Sequence, residues 1–395
     1  MNKDTDAGYL LPVLCFATFV QQLPNILTGL LLIEIAETFS TSIGVMGQMR
    51  TVASIFGLFT ALLMGILSVK FSYRGLLVAG LALLAFSSLG CSLSNSYFMM
   101  IAFFGVLGAG LSICGPMVSS LVGQHMPQAR RASAIGLIMG SAAFAYLVGS
   151  PSIAILSGQV SWRYSFQIFI VPLIVICLIV AYLRIPGSKR TNVRPDISGV
   201  FDGYRAIMGQ RSAAACLLAG LFSQGIWNSY LAYSSSFIRE TFLLSSFYTS
   251  ISTIVGASFF ILGSLSSGRL VAKIGMKRLA VYISVPSGLL ILLYLNTPSF
   301  WLTLVLGYIA SYSNGVLLST TGILNLEQMP EYRGTMMSLS SAISNLGAAL
   351  GTGVVGWLIT WGGYSVSGLY MLAAGIISSL IYFKLVKEPF RSDFH

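Results

Sequence analysis

The stretch IAETFSTS (residues 35–42) returns as IRETFLLS (238–245), with Ile, Glu, Thr, Phe and Ser in register at an offset of 203. Other landmarks keep the same spacing. Gln21 and Asn25 map onto Gln224 and Asn228, Gly65, Leu67 and Lys70 onto Gly268, Leu270 and Lys273, and MPQAR (126–130) onto MPEYR (329–333). One eight-residue match arises by chance, but several at one spacing mark an internal duplication of a unit of roughly 200 residues.

Composition says what that unit is made of. Hydrophobic residues make up 55% of the chain and charged residues 8%, against about 25% charged in an average soluble domain. Mean hydropathy is +0.84. Apolar runs of about 20 residues recur between short polar breaks, the length a helix needs to cross a hydrocarbon core of about 30 Å. The pattern predicts twelve spans, near 8–32, 43–68, 75–94, 97–122, 133–158, 164–184, 213–237, 246–270, 278–296, 299–324, 334–359 and 365–385, six in each copy. Asn95, the Met-Pro pairs at 126 and 329, Asn296-Thr297-Pro298 and Gly362-Gly363 supply the stop signals. The expected organisation is therefore an all-α membrane protein with a six-helix bundle over 1–184, a basic linker over 185–212 and a second six-helix bundle over 213–395.

Of the 22 Lys and Arg residues, 19 fall on one side of these spans if the N-terminus is cytoplasmic. This positive-inside asymmetry predicts both termini in the cytoplasm and a multi-pass protein of the cell membrane. It also accounts for the formal net charge of +11 without invoking nucleic acid. The first apolar run has Lys3 before it, no small-residue cleavage site after it, and full spanning length, so it reads as an uncleaved first helix. The five cysteines sit inside apolar spans without metal-type or redox-type spacing and read as small buried hydrophobes. No phosphate-binding glycine loop, metal cluster or nucleophile arrangement is present in the sequence, so neither an enzyme nor an ATP-driven pump is expected, and no cofactor is implied.

Two six-span halves, a basic central linker and a Gly-x-Leu plus basic cluster after the second span of each half resemble the major facilitator superfamily. The similarity covers the whole chain. The family loop pattern GxLaDRxGRR is similar to GILSVKFSYR (65–74) and to GRLVAKIGMK (268–277), and SWRYSF (161–166) resembles the WR-x-x-F that opens the sixth helix. The resemblance implies a secondary transporter that binds a small molecule, with a coupled or exchanged ion as a further partner, and acts as a monomer. It also implies cytoplasmic gate loops at Gly65, Lys70 and Arg74, and at Gly268, Lys273 and Lys277. Val69 and Ala272 stand where the family pattern has Asp, Ser72 where it has Gly, and Phe104 where many family exporters have Arg. Duplication by itself leads to the same expectation, since two equivalent bundles that rock against each other expose a mid-membrane cavity to alternate sides.

Polar residues inside the spans are the candidate site. All eleven acids fall in termini, loops or span edges, and both histidines lie outside the spans, which disfavours proton coupling through a buried carboxylate. Arg50 is the charge within a span, where hydrocarbon costs it at least about 2.5 kcal/mol. Three readings stand open for it: a side chain that snorkels to the interface, an anion anchor, or a strut between helices. Gln21 with Asn25, and Gln224 with Asn228, put two amides on one face of the first helix of each half, with Trp227 beside them; they serve either as interhelical glue or as cavity lining. Tyr308 and Tyr312 share a face of the tenth span, and Tyr146, Ser341 and Asn345 sit at similar depth. Arg50 makes small organic anions the first substrate class to expect. An exporter of amphipathic or cationic drugs is the alternative on the same fold, and a non-transporting sensor or scaffold the alternative of another class. Glu37 and Glu240, in the repeated phrase, read as solvated helix ends or partners of Arg239.

Overall fold

The computed structural model describes residues 3–126, 128–186 and 197–388, which are helices joined by short turns, with no strand among them. Most of the basic linker, residues 187–196, and the stretch 389–395 with Arg391, Asp393 and His395 lie outside the described residues. Among the described residues ten helices are long and apolar enough to cross a membrane. They include α1 (Lys3–Leu30), α2 (Gln48–Lys70), α3 (Tyr73–Leu93), α4 (Tyr97–His125), α5 (Ser133–Gln159) and α6 (Trp162–Arg184). After α7 (Arg211–Phe242) come α8 (Ser246–Ile274), α9 (Met276–Asn296) and α10 (Phe300–Gln328). The helix Arg333–Leu385 holds two spans, because Gly363 at φ 76° breaks it into α11 (333–362) and α12 (364–385). With α7, bent by 88° from the short helix Asp202–Gly209 that precedes it, the spans number twelve, as the apolar runs predict.

Local chemistry sets the boundaries. Ser72 and Ser96 cap α3 and α4 by accepting from the Gly75 and Met99 N–H groups at 3.2 and 3.3 Å, which satisfies donors that a helix start leaves open. Gly275, the repeat partner of Ser72, instead adopts φ 96°. A side chain would be strained there, and the following helix start is capped from outside, where the Lys277 N–H donates to Glu388 at 3.2 Å. Two spans leave the α-helical ladder. Ala145–Gly149 in α5 and Ser165–Ile170 in α6 form π-helical segments. Each lies just before a proline, Pro151 or Pro172, whose missing N–H and ring displace the preceding turn.

The chain forms two compact units. The first takes in the described residues up to 186 together with Ile238–Ile254; the second takes in 197–237 and 255–388. Each is held by close helix approaches of the kind that small residues permit in a membrane. In the first unit a Cβ on Gly108 of α4 would lie 2.0 Å from the Ala53 carbonyl oxygen of α2. The equivalent helices of the second unit touch at Gly263 of α8, where a Cβ would lie 2.1 Å from the Tyr312 carbonyl oxygen of α10. Serine and amide side chains tie helix ends: Ser212 donates to Gln328 at 2.7 Å, Gln328 donates to the Lys387 carbonyl at 3.0 Å, and the Lys387 N–H donates back to Ser212 at 2.8 Å. Large apolar side chains such as Phe98, Leu265 and Trp361 are exposed by 80%, 75% and 74%. A water-facing surface would bury them, whereas lipid accepts them.

Candidate functional site

In the first unit the structure brings Asn25, Arg50 and Tyr146 together. Arg50 Nη2 donates to the Asn25 backbone carbonyl at 2.7 Å, joining α2 to α1. Tyr146, in the π-helical segment of α5, lies within electrostatic reach of the Arg50 guanidinium. Gln21, one turn before Asn25, is buried. The Arg50 side chain thus reaches a neighbouring helix, and it is half-buried.

A second charged contact in this unit escaped the sequence. The short helix Leu32–Thr38 follows a break at Leu31, and Glu34 in it receives two hydrogen bonds from Arg239, at 2.6 and 2.7 Å. Arg239 also donates to the Leu30 carbonyl at 3.0 Å, next to that break. Of the acids near Arg239, Glu34 is the partner; Glu37 and Glu240 of the repeated phrase are exposed. Thr38 of the phrase accepts from Trp162 Nε1 at 2.9 Å, and Arg163 packs over the Trp162 ring at 4.9 Å while donating to the Ser92 carbonyl at 3.0 Å. SWRYSF therefore packs against the middle of the first repeat phrase, at Thr38 and Phe39.

In the second unit the amides Gln224 and Asn228 are joined directly, with Asn228 Nδ2 donating to Gln224 Oε1 at 3.3 Å and to the Gln224 carbonyl at 3.0 Å. Trp227 beside them stacks on Phe260 with ring centroids 4.4 Å apart and planes 15° from parallel, and on Tyr230 at 5.8 Å. Tyr230 meets Tyr294 edge-on at 5.4 Å and donates to the Gly307 carbonyl at 3.3 Å. Tyr308 stacks on Phe259 at 5.5 Å, and the Tyr312 hydroxyl shares a 2.8 Å hydrogen bond with Ser266. Asn345 donates to the Ser341 carbonyl of its own helix at 3.1 Å. A cavity of about 50 Å³ opens beside Gln224, lined also by Asn325, Ser340 and Ser344. Sequence reasoning missed Phe260, Tyr230, Tyr294 and Asn325. The aromatic ones carry a signal in hindsight, since two of them stack on Trp227 and the third meets Tyr230 edge-on.

Among the residues taken as gate loops, Lys70 and Lys273 are exposed, and Arg74 is occupied by α6, donating to the Tyr182 carbonyl with its guanidinium 5.1 Å above the Tyr182 ring. Gly65 is helical within α2, and Gly268 in α8 has open space where a Cβ would stand. Lys277 contributes its backbone N–H to Glu388, as described above. Among the described residues no group of three or more His, Cys, Asp and Glu side chains is placed to hold a metal ion.

Apolar helices of spanning length in two compact units, with a loop pattern that occurs in both copies, define a multi-span membrane protein. The family model described as Major Facilitator Superfamily matches residues 14–295 and 216–394, and the chain belongs to that superfamily. The chain is 22% identical over 359 residues to the MFS-type transporter YwfA of Bacillus subtilis (strain 168), covering 89% of this chain and 85% of that one. It is 27% identical over 137 residues to the purine ribonucleoside efflux pump NepI of Salmonella typhimurium, covering 35% of this chain and 34% of that one. Among solved structures the fold is similar to that of the D-xylose-proton symporter, with a TM-score of 0.77 at 15% identity over 97% of this chain and 98% of that one. It is also similar to the nucleoside transporter NupG, with a TM-score of 0.74 at 15% identity over 95% and 97%.

Proposed function

We propose that the protein carries a small neutral solute combining a planar ring with hydroxyl or amide groups, the nucleoside class, by alternating access. The observation that carries this reading is the amide pair Gln224–Asn228 set against the stacked Trp227. A planar heterocycle gains from stacking on an aromatic face, and two amides offer both donors and acceptors to its polar edge without selecting for charge. The similarity to proteins named as a purine ribonucleoside efflux pump and a nucleoside transporter points the same way. Gln21, Asn25 and Tyr146 extend the polar lining in the first copy, and Tyr308, Tyr312 and Asn345 in the second. The halves 1–184 and 213–395, joined by 185–212, are the moving bodies. The loops around Lys70 and Lys273 form the cytoplasmic gate of a cell-membrane protein with both termini inside.

The test is uptake into proteoliposomes. Labelled adenosine, inosine and uridine should enter saturably and compete with one another, and Trp227→Ala or Gln224→Ala should raise the half-saturating concentration at least about tenfold. Organic anions remain the second reading, because the guanidinium of Arg50, beside Asn25 and Tyr146, is suited to hold a carboxylate by paired hydrogen bonds. Saturable uptake of aromatic or aliphatic acids, with nucleosides unable to compete, would replace the first reading by the second.

A further inference from the structure

We infer that the short helix before α7, Ile197–Gly209, is a lid on the cavity of the second unit, with Ile207 as its plug and Gly209-Gln210 as its hinge. The inference goes beyond the substrate reading and holds for any solute. The sequence marks 185–212 only as a basic linker, yet the structure folds 197–209 into a helix whose second half meets α7 at 88°.

The cavity, about 50 Å³, lies between α7, α10 and α11. An apolar cluster of Ile207, Ala213, Leu217 and Met336, with Leu339 and Ile343 packed on it, adjoins one end of the cavity. Leu217 and Ile343 belong to both the cluster and the cavity wall. The order of residues along the helices shows which end this is. On α7, Ala213 and Leu217 of the cluster precede Gly220 and Gln224 of the wall, and on α11 Met336 and Leu339 precede Ser340 and Ser344. On α10, which a short turn joins to α11, Thr321 and Asn325 of the wall come before Met329, which packs on the cluster. The cluster is therefore the floor of the cavity at the end where α7 and α11 begin and α10 finishes.

Ile207 is the part of that floor supplied by the linker helix, and it is fully buried. Gly203 lies one turn earlier on the same face. A Cβ there would stand 3.1 Å from Thr335 Oγ1 and Cγ2 and 3.3 Å from the Tyr332 ring, so the backbone of the linker helix seats flush on the start of α11. Asp202, Arg205 and Met208, on the remaining surface of the helix, are exposed. The hinge is confined to one residue: the Gln210 N–H donates to the Ala206 and Ile207 carbonyls at 3.1 and 3.2 Å, and the Gln210 carbonyl accepts from the Ala214 N–H at 3.0 Å. Rotation there leaves the hydrogen-bond ladder within each helix intact. A carrier has to seal its cavity at one end while the other opens. An apolar plug does so by excluding water, and its contacts, being non-directional, separate and re-form readily.

The experiment follows a thiol placed in the cavity by Gly322→Cys, where a Cβ meets nothing within 4 Å. The full chain in lipid nanodiscs reacts with a charged methanethiosulfonate, and each site is read by peptide mass spectrometry. Cys216, buried in a neighbouring cluster of the same unit, reports general loosening. Adding Ile207→Ala should raise the rate at position 322 at least about tenfold, because the plug loses its fill, and leave Cys216 unchanged. Adding Gly203→Cys and Thr335→Cys instead should give a disulfide that pins the lid, since the two positions are in bonding range. The pinned protein should react at position 322 at least about tenfold more slowly than after reduction. If Cys216 also gains reactivity in Ile207→Ala, the disulfide, which leaves the plug untouched, decides. Equal rates at position 322 with the disulfide closed and reduced would overturn the lid, as would failure of the disulfide to form under oxidant.

Discussion

Replacing Glu34 by glutamine preserves the size of the side chain and removes the charge that holds Arg239. The guanidinium makes two contacts to the carboxylate, at 2.6 and 2.7 Å, in a pair whose side chains are 12% and 32% exposed for Arg239 and Glu34. Breaking a fully buried pair costs about 3–5 kcal/mol, and an exposed one contributes about 0.2–1 kcal/mol. Partial burial and two-point geometry put this pair between them, at about 2 kcal/mol. The substituted amide would keep one acceptor, and Arg239 would keep its bond to the Leu30 carbonyl, so Glu34→Gln should cost about 1–2 kcal/mol. The clean quantity is the coupling in a double-mutant cycle of Glu34→Gln and Arg239→Gln, read from thermal unfolding of the detergent-purified protein. A coupling near 1–2 kcal/mol is expected, nearly unchanged between low and moderate salt because the arginine is mostly shielded. A coupling below about 0.3 kcal/mol would refute the reasoning and make the contact a solvated surface pair.

Arg50→Met should lower thermal stability by about 1–2 kcal/mol through loss of the charge-assisted bond to the Asn25 carbonyl; an unchanged melting temperature would rule out the strut. Gly263→Ala should destabilise by about 2 kcal/mol or more, since the added carbon meets the Tyr312 carbonyl at 2.1 Å. Gly268→Ala on the same helix meets nothing within 4 Å and should be neutral or stabilising by up to about 1 kcal/mol; the melting temperatures of the two variants should move apart. Gln328→Ala should cost about 1–3 kcal/mol, because it strips the Ser212 hydroxyl and the Lys387 carbonyl of partners at once. Gly275→Ala should cost about 1–2 kcal/mol from its φ of 96° alone, a loss that Ser72→Ala, at ordinary φ, should show only to the extent of its cap.

The fold was legible because the bilayer imposes one length on every span and the duplication supplies each landmark twice. The stops were legible for the same local reasons that operate in the structure, Gly362-Gly363 becoming the break at φ 76°. Arg50 announced itself by its charge, but the Asn25 backbone carbonyl that it donates to carries no sequence signature. The partner of Arg239 was hidden among three acids, and the nearest in sequence, Glu240, is not the one it binds. Selection of Glu34 depends on the helix break at Leu31, which exposes the Leu30 carbonyl beside it. The cavity was invisible because Asn325, Ser340 and Ser344 are separate small polar residues on two helices, each of which alone reads as packing.

The two π-helical segments bear on how the halves of the chain should be aligned. A π-helical turn accommodates one more residue than the α-helical turn it replaces, so a copy that contains one runs a residue ahead of a copy that does not. Arg333–Leu385, which supplies the fifth and sixth spans of the second copy, carries neither proline nor π-helical segment. The offset of 203 that relates MPQAR to MPEYR should therefore shrink by one past Pro151 and by one more past Pro172. Superimposing the copies on a single ruler would pair wrong residues throughout the sixth spans, and the two prolines mark where one of the copies gained or lost a residue during descent from their common ancestor.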